Sequence, residues 1–532
     1  MSQRTGYGPV HQRVREQARR DPSARAVVDA EGSLSYGELD EASGRVAVAL
    51  VAAGARPGDR ICLLIPKSAD TVAAILGVLR AGCVYVPLDP ASPPARLAQV
   101  VRTAEPSILL ARTDRAQLAA DCLKELEPHE RPGVLDLADA LAAPVPADGA
   151  PDSPGAPNGL AYLLFTSGST GLPKGVAIGH ANVAHFVTWA NEHFGLGPDD
   201  RVSGHSPLHF DLSVWDVFGA LTAGAELHLV PDHVNLLPER IAAFIRDARL
   251  TQWFSVPSVL TSLAGRDVLS RVELPDLRRL IWCGEVFPAS GVRYFAERLP
   301  HVRMANLYGP TEATIASSYY EIENRPWPED AAVPLGLPVP GEQLRVCGPD
   351  GAPVPAGTIG DLYIGGAGLG PGYWRDPQRT AEAYHESPPG SEQRWYRTGD
   401  LASVDAAGLF HFHGRQDRQI KSRGHRIELD DIEVALSALP EVEQCAVIAV
   451  PDERSGQCEI AAVCVPAPGF QPTSAALRGA LAQRLPPYML PRTWKFVPKL
   501  PTNQSGKIDR RAVADTLGKP EPATAPENGE RR

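Results

Sequence analysis

No run of about 18 apolar residues occurs anywhere in this 532-residue chain, which excludes a membrane-spanning helix. The first seven residues, Met-Ser-Gln-Arg-Thr-Gly-Tyr, lack the apolar core of a signal peptide, so the cytoplasm is the expected compartment. Clustered cysteines are missing too. The eight that occur, at 62, 83, 122, 283, 347, 445, 458 and 464, include no C-x-x-C pair, which argues against a zinc or redox centre. They are expected to be reduced, mostly buried small apolar residues. Positive charge is in deficit: 52 Lys plus Arg stand against 63 Asp plus Glu, a net −11. A nucleic-acid surface needs clustered cations, so neither nucleic acid nor membrane is an expected partner. No internal repeat is present. What remains is an ordinary globular composition, 43% hydrophobic and 22% charged, with length enough for more than one domain.

The first 140 residues alternate helical and strand patterns. Residues 36–53 have helical spacing, 59–66 read as a strand, 69–80 as a helix and 83–88 as a strand. Such alternation implies a parallel sheet covered by helices. Residues 144–158 are rich in Pro, Ala, Gly and Asp and read as a loop. Short glycine-rich strands over 357–374 suggest a small β-rich subdomain, and 388–391 reads as an exposed turn. After 417 the pattern restarts, with a helix at 430–439, strands at 445–450 and 459–465, and a helix at 473–485. The expectation is an α/β fold with a large core over 1–416, a small mobile α+β domain over 417–515, and a Pro/Glu/Ala-rich disordered tail over 516–532.

The most informative segment is Thr-Ser-Gly-Ser-Thr-Gly-Leu-Pro-Lys-Gly-Val at 166–176, which follows a strand-like apolar run at 160–165. Three glycines and four hydroxyl residues closed by a lysine form a nest of backbone N–H groups suited to the outer phosphates of a nucleotide. It is not a Walker A loop, because no Ser or Thr follows Lys174. Further on come Asn-Leu-Tyr-Gly-Pro-Thr-Glu at 306–312 and Tyr-Arg-Thr-Gly-Asp-Leu at 396–401. Gly-Arg-Gln-Asp at 414–417 leads into Lys-Ser-Arg-Gly-His-Arg-Ile-Glu-Leu at 421–429, and Ser-Gly-Lys-Ile-Asp-Arg closes the set at 505–510. In this order, the segments resemble the core motifs of the adenylate-forming (acyl-CoA synthetase-like) superfamily. The closest branch is the amino-acid adenylation domain of nonribosomal peptide synthetases. The resemblance runs from Leu34 to Arg510.

That resemblance implies ATP and Mg²⁺ as cofactors and assigns roles residue by residue. Thr166, Ser167, Gly168, Ser169, Thr170 and Gly171 would cradle the β- and γ-phosphates, with Lys174 near the loop. Glu312 would hold Mg²⁺, helped by Thr166; a carboxylate plus phosphate oxygens suits that ion. Tyr308 would stack on adenine, Thr311 would reach the α-phosphate, and Asp400 would accept from both ribose hydroxyls, with Arg415 close by. Lys507 would bridge the substrate carboxylate and the α-phosphate and neutralise developing charge. Asp417 would be the hinge of the small domain. The loop before Lys507 reads Thr-Asn-Gln-Ser-Gly where the family commonly has Leu-Thr-Pro-Asn-Gly, with the spacing kept.

Phe-Asp-Leu-Ser-Val-Trp-Asp at 210–216 resembles the motif that opens the amino-acid pocket. An ammonium leaving water needs a carboxylate partner, and Asp211 would supply it. The remaining pocket positions carry over as Leu212, Trp215, Phe254, Ile281, Cys283, Leu307, Ile315 and Ala316. This lining has no charge beyond Asp211 and Lys507, so acidic and basic side chains would be left unpaired. Bulky Trp215 and Phe254 shrink the cavity, and the expected substrate is a small neutral amino acid, alanine first, then proline or glycine. No carrier-domain or condensation-domain motif is found, which suggests a free-standing enzyme that loads a separate phosphopantetheinylated carrier protein. Gly424 matches the glycine that faces the active site during thiolation. The alternative is an acyl-CoA synthetase that uses free coenzyme A.

Overall fold

The structure is a computed structural model that describes residues 8–147, 149–153, 159–167, 172–323, 327–329, 331–386, 393–422, 424–452, 457–502 and 508–517. The 388–391 turn, the tail from 518, Gly168, Ser169, Thr170 and Gly171, and Lys507 lie outside the described residues.

Two large sheets dominate. One has nine strands, with Arg303–Tyr308, Arg279–Cys283, Gln252–Ser255, Arg201–Gly204, Glu226–Leu229 and Arg25–Val28 running parallel in that spatial order. Antiparallel strands close both of its edges. The second sheet has seven strands and a parallel centre built from Val84–Pro87, Arg60–Leu64 and Ile108–Ala111. Helix Ala69–Arg80 is buried along its length except at Asp70. Its apolar residues share one continuous core with residues of both sheets. Helix starts follow local chemistry. Ser35 accepts from the Glu38 amide at 3.2 Å while Glu38 reaches back to the Ser35 amide at 2.8 Å, a capping box that opens Tyr36–Ala52.

The second sheet departs from purely parallel pairing. Strand Leu160–Thr166 returns directly as the antiparallel strand Lys174–Gly179. Only seven residues separate the two, too few for the crossover that a parallel return needs. This hairpin sets Thr166 opposite Lys174. A five-stranded antiparallel sheet, which includes Gly360–Gly366, Arg394–Val404 and Phe410–Arg415, forms the β-rich part.

Beyond 417, a two-stranded ribbon, Gln419–Ser422 with His425–Glu428, precedes helix Leu429–Ser437. A three-stranded sheet of Val442–Asp452, Gln457–Pro466 and Thr493–Phe496 follows. Apolar clusters drawn from residues 427–490 and 446–517 make cores of their own for this part. All cysteines are free, and all but Cys458 are buried. Among the described residues no helix is long and apolar enough to cross a membrane.

Candidate active site

The phosphate end of the site is built on the hairpin. Thr166 closes its strand, and its Oγ1 is buried without a hydrogen-bond partner. Ser167 Oγ donates to the Arg426 carbonyl at 2.7 Å and accepts from the Glu428 amide at 3.3 Å, so the small domain already touches the phosphate loop. Glu312 lies in the single 3₁₀ turn Thr311–Ala313 and is fully buried. Its carboxylate takes the Arg426 guanidinium at 2.7 and 3.0 Å, the Tyr373 hydroxyl at 2.7 Å and the Lys174 ammonium at 3.4 Å. Burial alone would raise this carboxyl; Arg426 and then Lys174 outweigh it and hold Glu312 well below the usual carboxylate range. Burial, followed by repulsion from Arg426, pushes Lys174 down to about 8.

Asp400 sits at the nucleoside end, where strand Arg394–Val404 bulges against Phe410–Arg415. Its carboxylate accepts from the Tyr308 hydroxyl and from Arg415. Arg415 in turn grips both oxygens of Asp417 at 2.7 Å and the Thr398 carbonyl at 3.0 Å. A cavity of about 370 Å³ opens here between Leu307, Tyr308, Asp400, Arg415 and Lys421. Lys421 stands over the Tyr308 ring at 5.9 Å.

The third part of the site surrounds Asp211. A neighbouring cavity of about 100 Å³ is lined by Thr166, Ser167, Asp211, Leu212, Cys283 and Thr311, with Asp400 and Arg415 shared between the two spaces. Asp211 is 9% exposed, and burial pushes its carboxyl above the ordinary value. Thr311 Oγ1 donates to Asp211 Oδ2 at 2.7 Å. The Asp211 side chain makes no cap bond to the helical turn Leu212–Val214 that follows it.

That turn runs into a π-helical turn, Trp215–Gly219, before helix Ala220–Ala223. π turns recur at functional sites because the extra residue re-aims a side chain. Here the re-aimed group is the indole of Trp215, which donates to Asn191 Oδ1 at 3.1 Å and packs edge-on against Phe254 at 5.0 Å. The indole lies over Gly219, where a Cβ would come within 2.3 Å of it. Parallel register brings the other pocket positions together: Phe254 pairs with Ile281, and Cys283 with Leu307, across adjacent strands. Thr314 and Ile315 hold φ values of 55° and 71°. Left-handed backbone at a β-branched residue is strained, and such strain collects at functional sites. Trp215, Phe254, Ile281, Ile315 and Ala316 are all buried in the apolar core behind the cavity at Asp211, whereas Leu212 and Cys283 line it.

Arg426, Lys421 and Tyr373 join the site without having been singled out in the sequence. Arg426 and Lys421 belong to the 421–429 motif, which was a usable signal. Tyr373 meets Glu312 across 61 residues of chain, and no local pattern marks it.

A hairpin that carries the 166–176 motif, a buried acid held by two cations, and a cavity that Asp400 and Arg415 line are the geometry expected of a nucleotide-dependent enzyme of the adenylating class. Comparison with known proteins agrees. The AMP-binding enzyme family profile matches residues 14–374, and that of the AMP-binding enzyme C-terminal domain matches 431–507. The chain belongs to the AMP-binding enzyme family. It is 36% identical to the L-proline–[L-prolyl-carrier protein] ligase of Pseudomonas fluorescens, over 95% of this chain and 98% of that one. It is also 37% identical to the AMB antimetabolite synthetase AmbB of Pseudomonas aeruginosa over 95% of its own length, but spans only 39% of that protein. The amide bond synthetase McbA from Marinactinospora thermotolerans superposes with a TM-score of 0.87 at 28% identity, covering 96% of this chain and 99% of that one.

Proposed function

We propose that this chain is an ATP-dependent, AMP-forming ligase. It activates a small neutral amino acid as the aminoacyl-AMP and then passes the acyl group to the phosphopantetheine thiol of a carrier protein. The observation that carries the amino-acid assignment is Asp211: a buried carboxylate with one hydroxyl donor from Thr311, Lys421 in its neighbourhood, and no ion-pair partner among the described residues. Its ionised form needs a cation, and the α-ammonium of an amino acid supplies one. A plain fatty or aryl acid leaves that charge unpaired. The cavity of only about 100 Å³ at Asp211, with Trp215, Phe254 and Ile281 buried in the core, supports a small side chain. Alanine, proline and glycine remain the order read from the pocket, and the activity in the Pseudomonas fluorescens relative's name puts proline among the first to test.

In this proposal ATP lies across the two cavities, with the base near Tyr308, the ribose on Asp400 and the phosphates on the 166–171 loop and Lys174. Arg426 and Lys174 occupy Glu312 in the present orientation; with Arg426 withdrawn, Glu312 and the unpartnered Thr166 hydroxyl would hold Mg²⁺, which would supply Lewis-acid neutralisation of phosphate charge. Lys507 neutralises charge as the substrate carboxylate attacks the α-phosphorus. The hinge is placed at Asp417, which Arg415 anchors just before the ribbon that begins the small domain. Gly424 then gives the thiol access.

The test is amino-acid-dependent exchange of labelled pyrophosphate into ATP across a panel that includes both enantiomers. Exchange is expected with small neutral amino acids and is suppressed in Lys507→Ala with the fold intact. Exchange that ignores the amino acid, or that survives Lys507→Ala undiminished, contradicts the proposal. Loading of a phosphopantetheinylated carrier against free coenzyme A separates it from the acyl-CoA synthetase alternative.

A further inference from the structure

We propose that Glu285 is a positioning residue, a latch that holds the small domain in the orientation required for thiol transfer. The inference rests on the two-step function proposed above. Glu285 follows strand Arg279–Cys283, and each of its carboxylate oxygens takes one backbone N–H, from opposite sides of the interdomain cleft. Oε2 accepts from Ser258 at 2.8 Å, in the first turn of helix Pro257–Gly265. Oε1 accepts from Gly424 at 2.7 Å, immediately before the small-domain strand His425–Glu428.

The two bonds differ in kind. The Ser258 amide is one of the donors that a helix start leaves unsatisfied, so a carboxylate is favoured there whatever the small domain does. The Gly424 bond forms only when residue 424 is turned onto the large domain. The carboxylate is therefore held ready on one side and engaged from the other. Bonds from N–H to an ionised carboxylate are among the stronger ones available.

The junction also explains why residue 424 is glycine. Its φ is +80°, and an added Cβ would approach Val256 Cγ1 at 3.0 Å. Val256 and Ser258 flank the same helix start, so Gly424 meets one tight spot from two directions: packing against Val256 and a hydrogen bond to the acid that caps Ser258. Function enters through the space beside this contact. A cavity of about 720 Å³ is bounded by Phe210, Leu212, Val256, Ser258 and Gly424. It shares Phe210, Leu212, Val256 and Gly424 with the cavity at Asp211. Glu285 thus fixes the seam at which the two domains jointly wall a passage to the acyl end.

Glutamine keeps the volume of Glu285 but has one acceptor oxygen, and its NH₂ cannot accept from an amide. Because the two amides bond different oxygens of Glu285, Glu285→Gln in the same pose keeps an acceptor toward only one of them and turns its NH₂ toward the other. The experiment uses the full-length chain with Mg-ATP, L-alanine or L-proline, and free pantetheine as the thiol. Thioester formation is measured by mass spectrometry and adenylation by pyrophosphate exchange. The ratio of thioester formation to exchange should fall tenfold or more in Glu285→Gln. Hydrogen–deuterium exchange at the Gly424 amide should speed up by a similar factor, while peptides from strand Arg279–Cys283 stay as in the wild type. Gly424→Ala strains the same junction from the other side and should lower the ratio too. Combined with Glu285→Gln it should do no more than either alone, since both break one contact.

A ratio within twofold of wild type, with Gly424 exchange unchanged, would overturn the latch; so would fully additive losses in the double variant. If the wild type shows no amino-acid-dependent pyrophosphate exchange, the proposed function fails instead. Amide protection at Gly424, and its loss in Glu285→Gln, then decides the interdomain contact by itself.

Discussion

Two buried acids of the candidate site titrate in opposite directions, and their neighbours explain why. Asp211 has one hydroxyl donor and a nearby lysine, Lys421, and burial wins: its carboxyl is raised. Glu312 is also raised by burial, but Arg426 and Lys174 reverse the sign. Glu312 therefore contributes stability at neutral pH that is lost only as pH falls through its depressed folded-state value. Asp211 does the converse. Its folded state binds the proton more tightly than the unfolded chain, so its ionised form is a stability penalty, fully present above the raised value and absent below the unfolded one. Asp211→Asn should therefore melt at a higher temperature than wild type at neutral pH. That gap should close as pH falls through the raised value. The same variant leaves the substrate ammonium unpaired and should reduce amino-acid kcat/KM by about 10²–10³-fold, the scale of a broken buried pair. Thermal melts over a pH series, together with exchange kinetics, check both halves.

At the scale of elements, the helices read from the sequence, at 36–53, 69–80, 430–439 and 473–485, are present in the structure because their signals are local. Ser35 with Glu38, and Ser68 before Ala69–Arg80, mark helix starts within a few residues. The antiparallel return of the hairpin was not foreseen, because the 166–176 run was read for its nest of backbone N–H groups and its second half, Lys174–Gly179, was not read as a strand. The π turn at Trp215–Gly219 was also invisible: a single inserted residue leaves the apolar spacing of 210–216 unchanged. Four of the positions carried over from motif resemblance, Phe254, Ile281, Cys283 and Leu307, are neighbours because register across Gln252–Ser255, Arg279–Cys283 and Arg303–Tyr308 aligns them. Gly219→Ala tests this element. Helix propensity alone would favour alanine by about 1 kcal/mol. A Cβ 2.3 Å from the Trp215 indole instead predicts overpacking and a net loss of about 1–3 kcal/mol, with reduced amino-acid kcat/KM. Denaturant unfolding and exchange kinetics measure it, and a stabilised, fully active variant would contradict the packing described.

Across the whole molecule, two sets of cores meet at a largely polar seam. The large sheets share one core, whereas the apolar clusters after 417 are separate from it. What joins the parts near the site is largely polar, Arg426 on Glu312, Ser167 with Arg426 and Glu428, and Glu285 with Gly424, beside the packing of Gly424 on Val256 and of His425 on Phe210. Such a seam can be remade in another orientation at modest cost, as a hinge closure requires. None of these contacts was readable from the sequence, for each spans more than a hundred residues. Arg426→Ala should leave buried Glu312 with the Lys174 ammonium and the Tyr373 hydroxyl, at a cost of about 3–5 kcal/mol to this docked arrangement. Limited proteolysis should then cut faster near 417, with the large domain intact; an unchanged cleavage rate would speak against that role for Arg426.

The central claim is that this chain makes an aminoacyl adenylate. The most direct measurement is mass-spectrometric detection of aminoacyl-AMP after a single turnover of purified enzyme with Mg-ATP and L-alanine, L-proline or glycine. The expected result is an adenylate of at least one of these that disappears in Lys507→Ala and Asp211→Asn. Failure to form any aminoacyl-AMP, with ATP bound and the protein folded, would contradict it.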